Sequence, residues 1–388
     1  MKNIEHNIIK MYFFRFLRDF WLIMPMLIPF YKTFHLSNTE ILLIQSIFSI
    51  SLLIFEIPSG YFSDAIGRKL TLIIGAFCLP LGLSIYSIGS SFFEFAIAEA
   101  ILGIGFAMCS GTESALIYDS LLQINNEKAY HKVEGKAESF TRIGTAAASV
   151  LGGILAGIFL KLPFYINIIT SLVMFILALT FVEPDTIKRK SENPLKDIIF
   201  IVKYSLGHTK ILSIIILSSV VLHTGITAIW GYLMIMEKQN LSVMVNGIGF
   251  ALFQLISAAG AMTSHKISTA IGKKNSYFIL AVIPLTMFIV GISNSPLVLI
   301  CVFAHSFVWG FSFPFFMNEL NNLIESDKRA TVLSTGSMIG RIFFVVFSPL
   351  FGLLSDSYSL GFGFVMLGSV FILFTAVSFF FGRKDFSL

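Results

Sequence analysis

The residues of this chain best able to do chemistry are charges set inside long apolar runs: Arg18, Asp19, Glu56, Glu99, Glu113, Arg142 and Arg341. A charge at membrane depth costs at least about 2.5–3.5 kcal/mol on insertion scales, so each asks for a partner, a water-filled cavity or a proton. A carboxyl group so placed can exchange a proton as its surroundings change, and Asp19, Glu99 and Glu113 are the candidates for that role. Glu113 stands near the end of one run and Arg142 near the start of the next. Equal depth on consecutive runs predicts a Glu113–Arg142 ion pair, either part of the coupling chemistry or a bridge that only fixes packing. Glu56 and Arg341 are the remaining ion-pair candidates.

Other chemistries lack their residues. There is no glycine-rich phosphate loop, no metal-ligand spacing and no nucleophile with a matched base, so ATP-driven pumping and hydrolysis have no machinery here. We therefore expect neither enzyme activity nor a cofactor or metal. Cys78, Cys109 and Cys301 each fall in an apolar run and read as packing residues rather than a disulfide framework. The net charge of +5 sits on loop Lys and Arg, which points to the lipid bilayer as partner and not to nucleic acid.

The elements that must position these groups are membrane helices. With 56% hydrophobic residues, 13% charged residues and a mean hydropathy of +0.85, the 388-residue chain has too few polar groups to cover a soluble surface. A helix needs about 20 apolar residues to cross a bilayer. Twelve runs qualify, near 12–34, 40–62, 70–89, 91–118, 138–160, 162–182, 211–236, 243–264, 275–293, 296–322, 332–354 and 360–381. No small-residue cleavage site follows residues 1–10, so the first run is expected to stay as a helix. Short connections such as Lys161-Leu-Pro163 and Ser293-Asn-Ser-Pro296 make neighbouring helices antiparallel. Of the 27 Lys and Arg residues, 20 fall on one side and only Lys32, Lys161 and Lys238 on the other. Loop cations favour the cytoplasmic side, which places both termini there.

The longest linker, 183–210, divides residues 1–182 from 211–388. It carries Lys188-Arg189-Lys190 and then a stretch, 194–203, that forms either an amphipathic helix on the inner leaflet or a plain tether. The two parts echo each other. Leu36-Ser37 recurs as Leu241-Ser242, and Ala65-Ile66-Gly67-Arg68-Lys69 as Ala270-Ile271-Gly272-Lys273-Lys274, both at an offset of 205. Arg142-Ile143 with Ser149 and Gly153 recurs as Arg341-Ile342 with Ser348 and Gly352 at an offset of 199. Three matches in order indicate a parallel repeat of two six-helix bundles with a central site between them.

Gly60 and Asp64 share one helix face, which would let a neighbouring helix approach at Gly60 and meet a carboxylate one turn on. Gly67 then ends the helix and Arg68-Lys69 follow it. The string Gly60-x3-Asp64-x2-Gly67-Arg68-Lys69 resembles the signature loop between helices 2 and 3 of the major facilitator superfamily. The resemblance covers nearly the whole chain. It implies a 12-helix, all-α fold in two pseudo-symmetric bundles, a monomer, and a small-molecule substrate moved by alternating access. It also implies that helices 1, 4, 7 and 10 line the cavity. Those helices carry Arg18, Asp19, Trp21, Glu99, Glu113, His223, Trp230, His305, Trp309, Asn318 and Glu319. The tryptophans would stack a partly apolar or cationic solute or anchor the helices at the interface. The histidines would shuttle protons or pack. Asp64 capping the helix of Arg341, or Glu56 pairing with Arg341, would latch the halves on the cytoplasmic side.

Two departures from the family pattern matter. Gly144-x3-Ala148-Ser149-x2-Gly152-Gly153 looks like the exporter signature of helix 5 with its central Gly-Pro replaced, which counts against export. Glu99-x3-Gly103 puts an acid where many proton-coupled members have an arginine. The Glu56-x-Pro58-x-Gly60 lead into the loop resembles bacterial drug or metabolite exporters. The reading is a proton-coupled efflux antiporter of the bacterial inner membrane. A proton-coupled importer of a nutrient or metal chelate, and a non-transporting receptor on the same fold, remain as alternatives.

Overall fold

The computed structural model describes residues 4–185, 207–293, 299–324 and 329–381. The Lys188-Arg189-Lys190 cluster, the 194–203 stretch and Pro296 lie outside the described residues. Among the described residues the chain is helical, with no strand. Its long elements are α1 (His6–Arg18), α2 (Leu27–Lys32), α3 (Asn38–Ile66), α4 (Arg68–Ile88), α5 (Phe92–Cys109), α6 (Thr112–Gln123), α7 (Tyr130–Ile158) and α8 (Leu162–Leu179), followed by α9 (Thr209–Lys238), α10 (Val243–Ile271), α11 (Lys273–Ile279), α12 (Val282–Ile292), α13 (Leu299–Asn321), α14 (Arg329–Ser357) and α15 (Leu360–Phe381). Eleven helical stretches among the described residues are long and apolar enough to cross a membrane. The first expected span is missing from that count because it is broken into α1 and α2.

Proline chemistry explains the break. Pro25 lacks an N–H and its ring crowds the carbonyl of Trp21 one turn back, whereas Pro29 lies in the first turn of α2, where the N–H groups have no partner within the helix. Residues 19–23 leave the helix, and a 3₁₀ turn at Met24–Met26 leads into α2. Backbone polar groups freed in an apolar interior must be satisfied locally. Asn167 of α8 does this: its Oδ1 accepts from Leu22 N at 2.8 Å and its Nδ2 donates to Phe20 O at 2.6 Å. The fourth span is also broken, at Ser110-Gly111, where Gly111 has φ +75°. One-residue joints at Gly67 (φ +106°) and Gly272 (φ +80°) connect α3 to α4 and α10 to α11. Glycine suits that conformation because a Cβ would strain it. The start of α5 carries a capping box in which Glu94 accepts from the Ser90 and Ser91 backbone N–H groups.

Two compact units emerge. The first comprises Met1–His35, Ile47–Pro194 and Ser242–Phe250; the second comprises Leu36–Ser46, Leu195–Leu241 and Ala251–Leu388. The start of α3 thus clusters with residues of the second half, and the start of α10 with those of the first. Small residues make both associations possible. A methyl group at Gly153 would come within 2.9 Å of Gly247 Cα, and one at Gly352 within 2.7 Å of Thr39 Cα. Asp356 also caps the start of α3, accepting from Asn38 N at 3.1 Å and Thr39 N at 2.8 Å.

Candidate functional site

In the first unit, both broken spans bring charged ends together. Arg15 and Arg18 lie in the last turn of α1 and Glu113 in the first turn of α6. Cations at a helix C-terminus and an anion at an N-terminus each match the helix dipole. Glu113 is 2% exposed and Arg15 5%. Glu113 Oε2 lies 2.9 Å from Arg15 Nε and 2.6 Å from Arg18 Nη1. The Arg18 contact is an aligned hydrogen bond, while the Arg15 contact is an ion pair without that alignment. Arg15 Nη2 donates to Glu134 Oε1 and to Ser114 Oγ, both at 2.8 Å, and Ser114 Oγ donates to the same Glu134 oxygen at 2.8 Å. Arg18 Nη2 lies 2.6 Å from Asp19 Oδ2. Glu113 Oε1 accepts no hydrogen bond among the described residues.

The expected Glu113–Arg142 pair does not form. Arg142 is 75% exposed at its side chain and bonds Glu138 one turn earlier on α7. The side of α7 that meets α1 is built of glycine instead. A methyl group at Gly144 would come within 2.6 Å of Phe16 O, and one at Gly152 would overlap Leu22 O. Only a bare backbone lets α7 lie against the unwound segment. This is where the helix 5 glycines act.

Glu99 sits apart from this cluster. It is 6% exposed and accepts from Tyr86 Oη at 2.6 Å; Tyr31 Oη lies 2.5 Å from Tyr86 Oη, among Phe30, Phe95 and Phe164. Trp21 packs on Phe106, and the Arg18 guanidinium lies 5.9 Å from the same ring.

The signature loop forms a second ionic site. Arg68 bonds Asp64 at 2.5 Å, Asp119 at 3.0 Å and Ser63 at 2.8 Å. Glu183 accepts from the backbone N–H of Arg68 at 2.7 Å and of Lys69 at 2.6 Å. Gly60 is exposed and a methyl group there would meet nothing within 4 Å, so the close helix approach expected at Gly60 is not made among the described residues. Glu56 and Arg341 are half-buried.

In the second unit His305, His223 and Trp309 are held by neutral contacts. His305 is fully buried on α13, its Nδ1 3.4 Å from Tyr232 Oη and 3.3 Å from Thr286 Oγ1. His223 Nδ1 lies 3.0 Å from Ser219 O, within its own helix. Trp309 donates from Nε1 to Leu222 O at 3.0 Å and packs on Gly225. Trp230 is buried and Asn318 exposed. Glu319 forms an ion pair with Lys273 and accepts from Tyr277 Oη at 3.4 Å.

Arg15, Glu134 and Asn167 are among the residues that the sequence alone did not single out. Arg15 lies one turn before Arg18, a spacing that puts both on one helix face, and that signal was available. Glu134 lies outside the apolar run expected for its helix, and Asn167 is an ordinary amide whose role depends on a distant break.

The chain is similar over 193 residues to Multidrug resistance protein 1 of Bacillus subtilis (strain 168), at 28% identity, covering 50% of this chain and 48% of that protein. Multidrug resistance protein 2 of the same organism is 28% identical over 144 residues, covering 37% of this chain and 35% of that protein. The matches thus span a third to a half of these relatives' lengths. Among solved structures, the nucleoside transporter NupG superposes with a TM-score of 0.77 over 99% of this chain and 100% of that one. At 14% identity that likeness shows the fold alone. The family profile of the Major Facilitator Superfamily matches residues 11–342. With its broken apolar helices and a family match over most of its length, this chain belongs to the Major Facilitator Superfamily of membrane transporters.

Proposed function

We propose that the protein is a proton-coupled secondary transporter that exports a small organic solute, a drug or a metabolite, by alternating access of two six-helix bundles. Glu113 is the observation that carries this reading: a buried carboxylate with one oxygen held by Arg15 and Arg18 and the other without a hydrogen bond. When all its groups are ionised, the cluster sets Arg15 and Arg18 against Asp19, Glu113 and Glu134. One negative charge is in excess, and one proton balances it. A proton on Glu113 weakens its hold on both guanidiniums, which keep Asp19 and Glu134 as partners. The end of α1 and the start of α6 then loosen together, shifting the balance between inward-open and outward-open states. The protein works as a monomer in the bacterial inner membrane, with both termini in the cytoplasm.

Efflux is favoured by the drug-resistance names of the relatives and by the Glu56-x-Pro58-x-Gly60 lead into the loop. Trp21 and Phe106 beside Arg18 offer an aromatic wall for a flat or cationic solute.

The test is a pH-gradient assay in oriented proteoliposomes, with lipophilic cations, siderophores and amino-acid derivatives as the panel and Glu113→Gln alongside. Substrate-dependent proton movement that the substitution abolishes is the expected result, and its sign distinguishes an exporting antiporter from an importing symporter. Substrate flux without proton movement would end the coupling proposal.

A further inference from the structure

The second unit contains a crevice of about 640 Å³ where α9, α11, α12 and α15 meet. Its origin is local. Pro284 has no N–H and its ring crowds the carbonyl of Leu280 one turn back. The ninth span therefore splits at Leu280-Ala281, where tighter bonds (Leu280 N to Tyr277 O at 3.2 Å, Ala281 N to Phe278 O at 3.1 Å) replace the regular helix pattern. The notch left by the split is walled by Phe371 and Phe379 of α15.

The mouth and the wall differ in chemistry. Lys210, Lys273 and Lys274 border the crevice, and they begin the spans Thr209–Lys238 and Lys273–Ile292, where a helix leaves the hydrocarbon for the headgroup layer. Lys273 is paired with Glu319. Among the described residues Lys210 and Lys274 have no ion-pair partner. Among the described residues these two positive charges are unanswered, as an external anion would require. Deeper in, the wall is apolar: Leu217 lies two turns past Lys210, roughly 10 Å at 1.5 Å per residue. Phe278 and Ile372, on its rim, are 63% and 52% exposed, so the crevice opens on the side of the unit.

We propose that this crevice binds an anionic phospholipid, its phosphate held by Lys210 and Lys274 and an acyl chain laid along the apolar wall. A free anion would use the lysines but leave the wall bare, and a neutral lipid would fill the wall but leave the charges unanswered. Only a molecule with both parts matches both surfaces.

The experiment uses the full chain in nanodiscs of mixed phosphatidylglycerol and phosphatidylcholine, with retained lipid identified by native mass spectrometry. Preferential retention of phosphatidylglycerol is expected, reduced roughly thirty-fold by Lys210→Gln with Lys274→Gln, the loss of two basic residues near an anionic headgroup. Ala376→Phe fills the wall without altering charge and should also release the lipid. A control pair, Lys128→Gln with Lys132→Gln, should change nothing, and thermal unfolding confirms that each variant is folded. Equal retention of both lipids overturns the proposal. So does retention untouched by the lysine pair, which would mark an apolar ligand, or inorganic phosphate competing as well as the lipid, which would mark a plain anion site.

Discussion

Glu113 and His305 both lie on the fourth helix of their half and both are buried, yet they are held in opposite ways. Glu113 sits between two guanidiniums at the meeting of two broken spans. His305 sits in an unbroken helix, near two hydroxyls at 3.3 and 3.4 Å. The partner helices follow suit: α1 carries Arg15 and Arg18 in its last turn, whereas α9 has no Lys or Arg between Lys210 and Lys238. The first unit thus gathers ionised groups at one point, Arg15 and Arg18 against Asp19, Glu113 and Glu134. His305 and its neighbours in the second unit form a neutral cluster instead.

The largest expected effect sharpens that contrast. Glu113→Ala removes the carboxylate that Arg15 and Arg18 share, leaving Arg15 with Glu134 and Arg18 with Asp19, and should cost about 1.5–3 kcal/mol of unfolding stability in detergent, the range for a hydrogen bond to a charged group. His305→Leu removes only long, neutral hydrogen bonds and should cost about 1 kcal/mol or less. Comparable losses from the two substitutions would break the comparison.

This contrast was only half legible in the sequence. Apolar runs and the charges inside them stand out because burying a charge in hydrocarbon is costly, so Asp19, Glu99 and Glu113 could be found without a structure. Which partner each one takes could not. Pairing Glu113 with Arg142 assumed straight helices whose depth alone sets proximity. The break at residues 19–23 turns the end of α1 towards α6 and gives the role to Arg15 and Arg18. Pro25, beside the break, is visible in the sequence, but a proline within a span can bend a helix or split it. Pro80 sits inside the continuous α4, whereas Pro284 divides α11 from α12. The choice depends on whether neighbours such as Asn167 satisfy the freed backbone. The repeat, by contrast, showed through in the loops, where glycine at a positive φ is required in both halves.

Helix contacts give the next test. On α7, Gly152 lies against the backbone of Leu22, while on α14 the large residue Phe351 packs against Gly231 of α9. The small residue is thus on opposite sides of the two contacts. Gly152→Ala should cost about 1–3 kcal/mol by overpacking, because the obstacle is backbone and cannot rotate away. Gly231→Ala meets ring atoms of Phe351 and Phe364 at 2.7 Å, which have some freedom to shift, and should cost less. Unfolding curves of the two variants decide the order.

A smaller difference separates the repeated loops. Arg68 is tied to two carboxylates and a hydroxyl, whereas Lys273 is tied to Glu319 alone. Arg68→Ala should cost about 1 kcal/mol after solvent screening, and Lys273→Ala less. In proteoliposomes Arg68→Ala should also slow transport more than it weakens substrate binding, since its partners join elements of the loop rather than contact solute.

Arg142 marks the low end of the scale and tests the assignment of the coupling cluster. Its guanidinium is mostly in solvent and its partner, Glu138, is one turn away on the same helix. Exposed pairs at that spacing contribute about 0.3–0.5 kcal/mol. Arg142→Ala should therefore leave the unfolding midpoint and proton-coupled flux nearly unchanged. Arg15→Ala, by the same measurement, should abolish coupling, because it removes the one cation that joins Glu113 to Glu134. If Arg142→Ala uncoupled transport while Arg15→Ala did not, the working partner of Glu113 would be Arg142 in another state of the transport cycle. The first bundle would then store its charge in a pair that re-forms as the helices move, rather than in a fixed cluster.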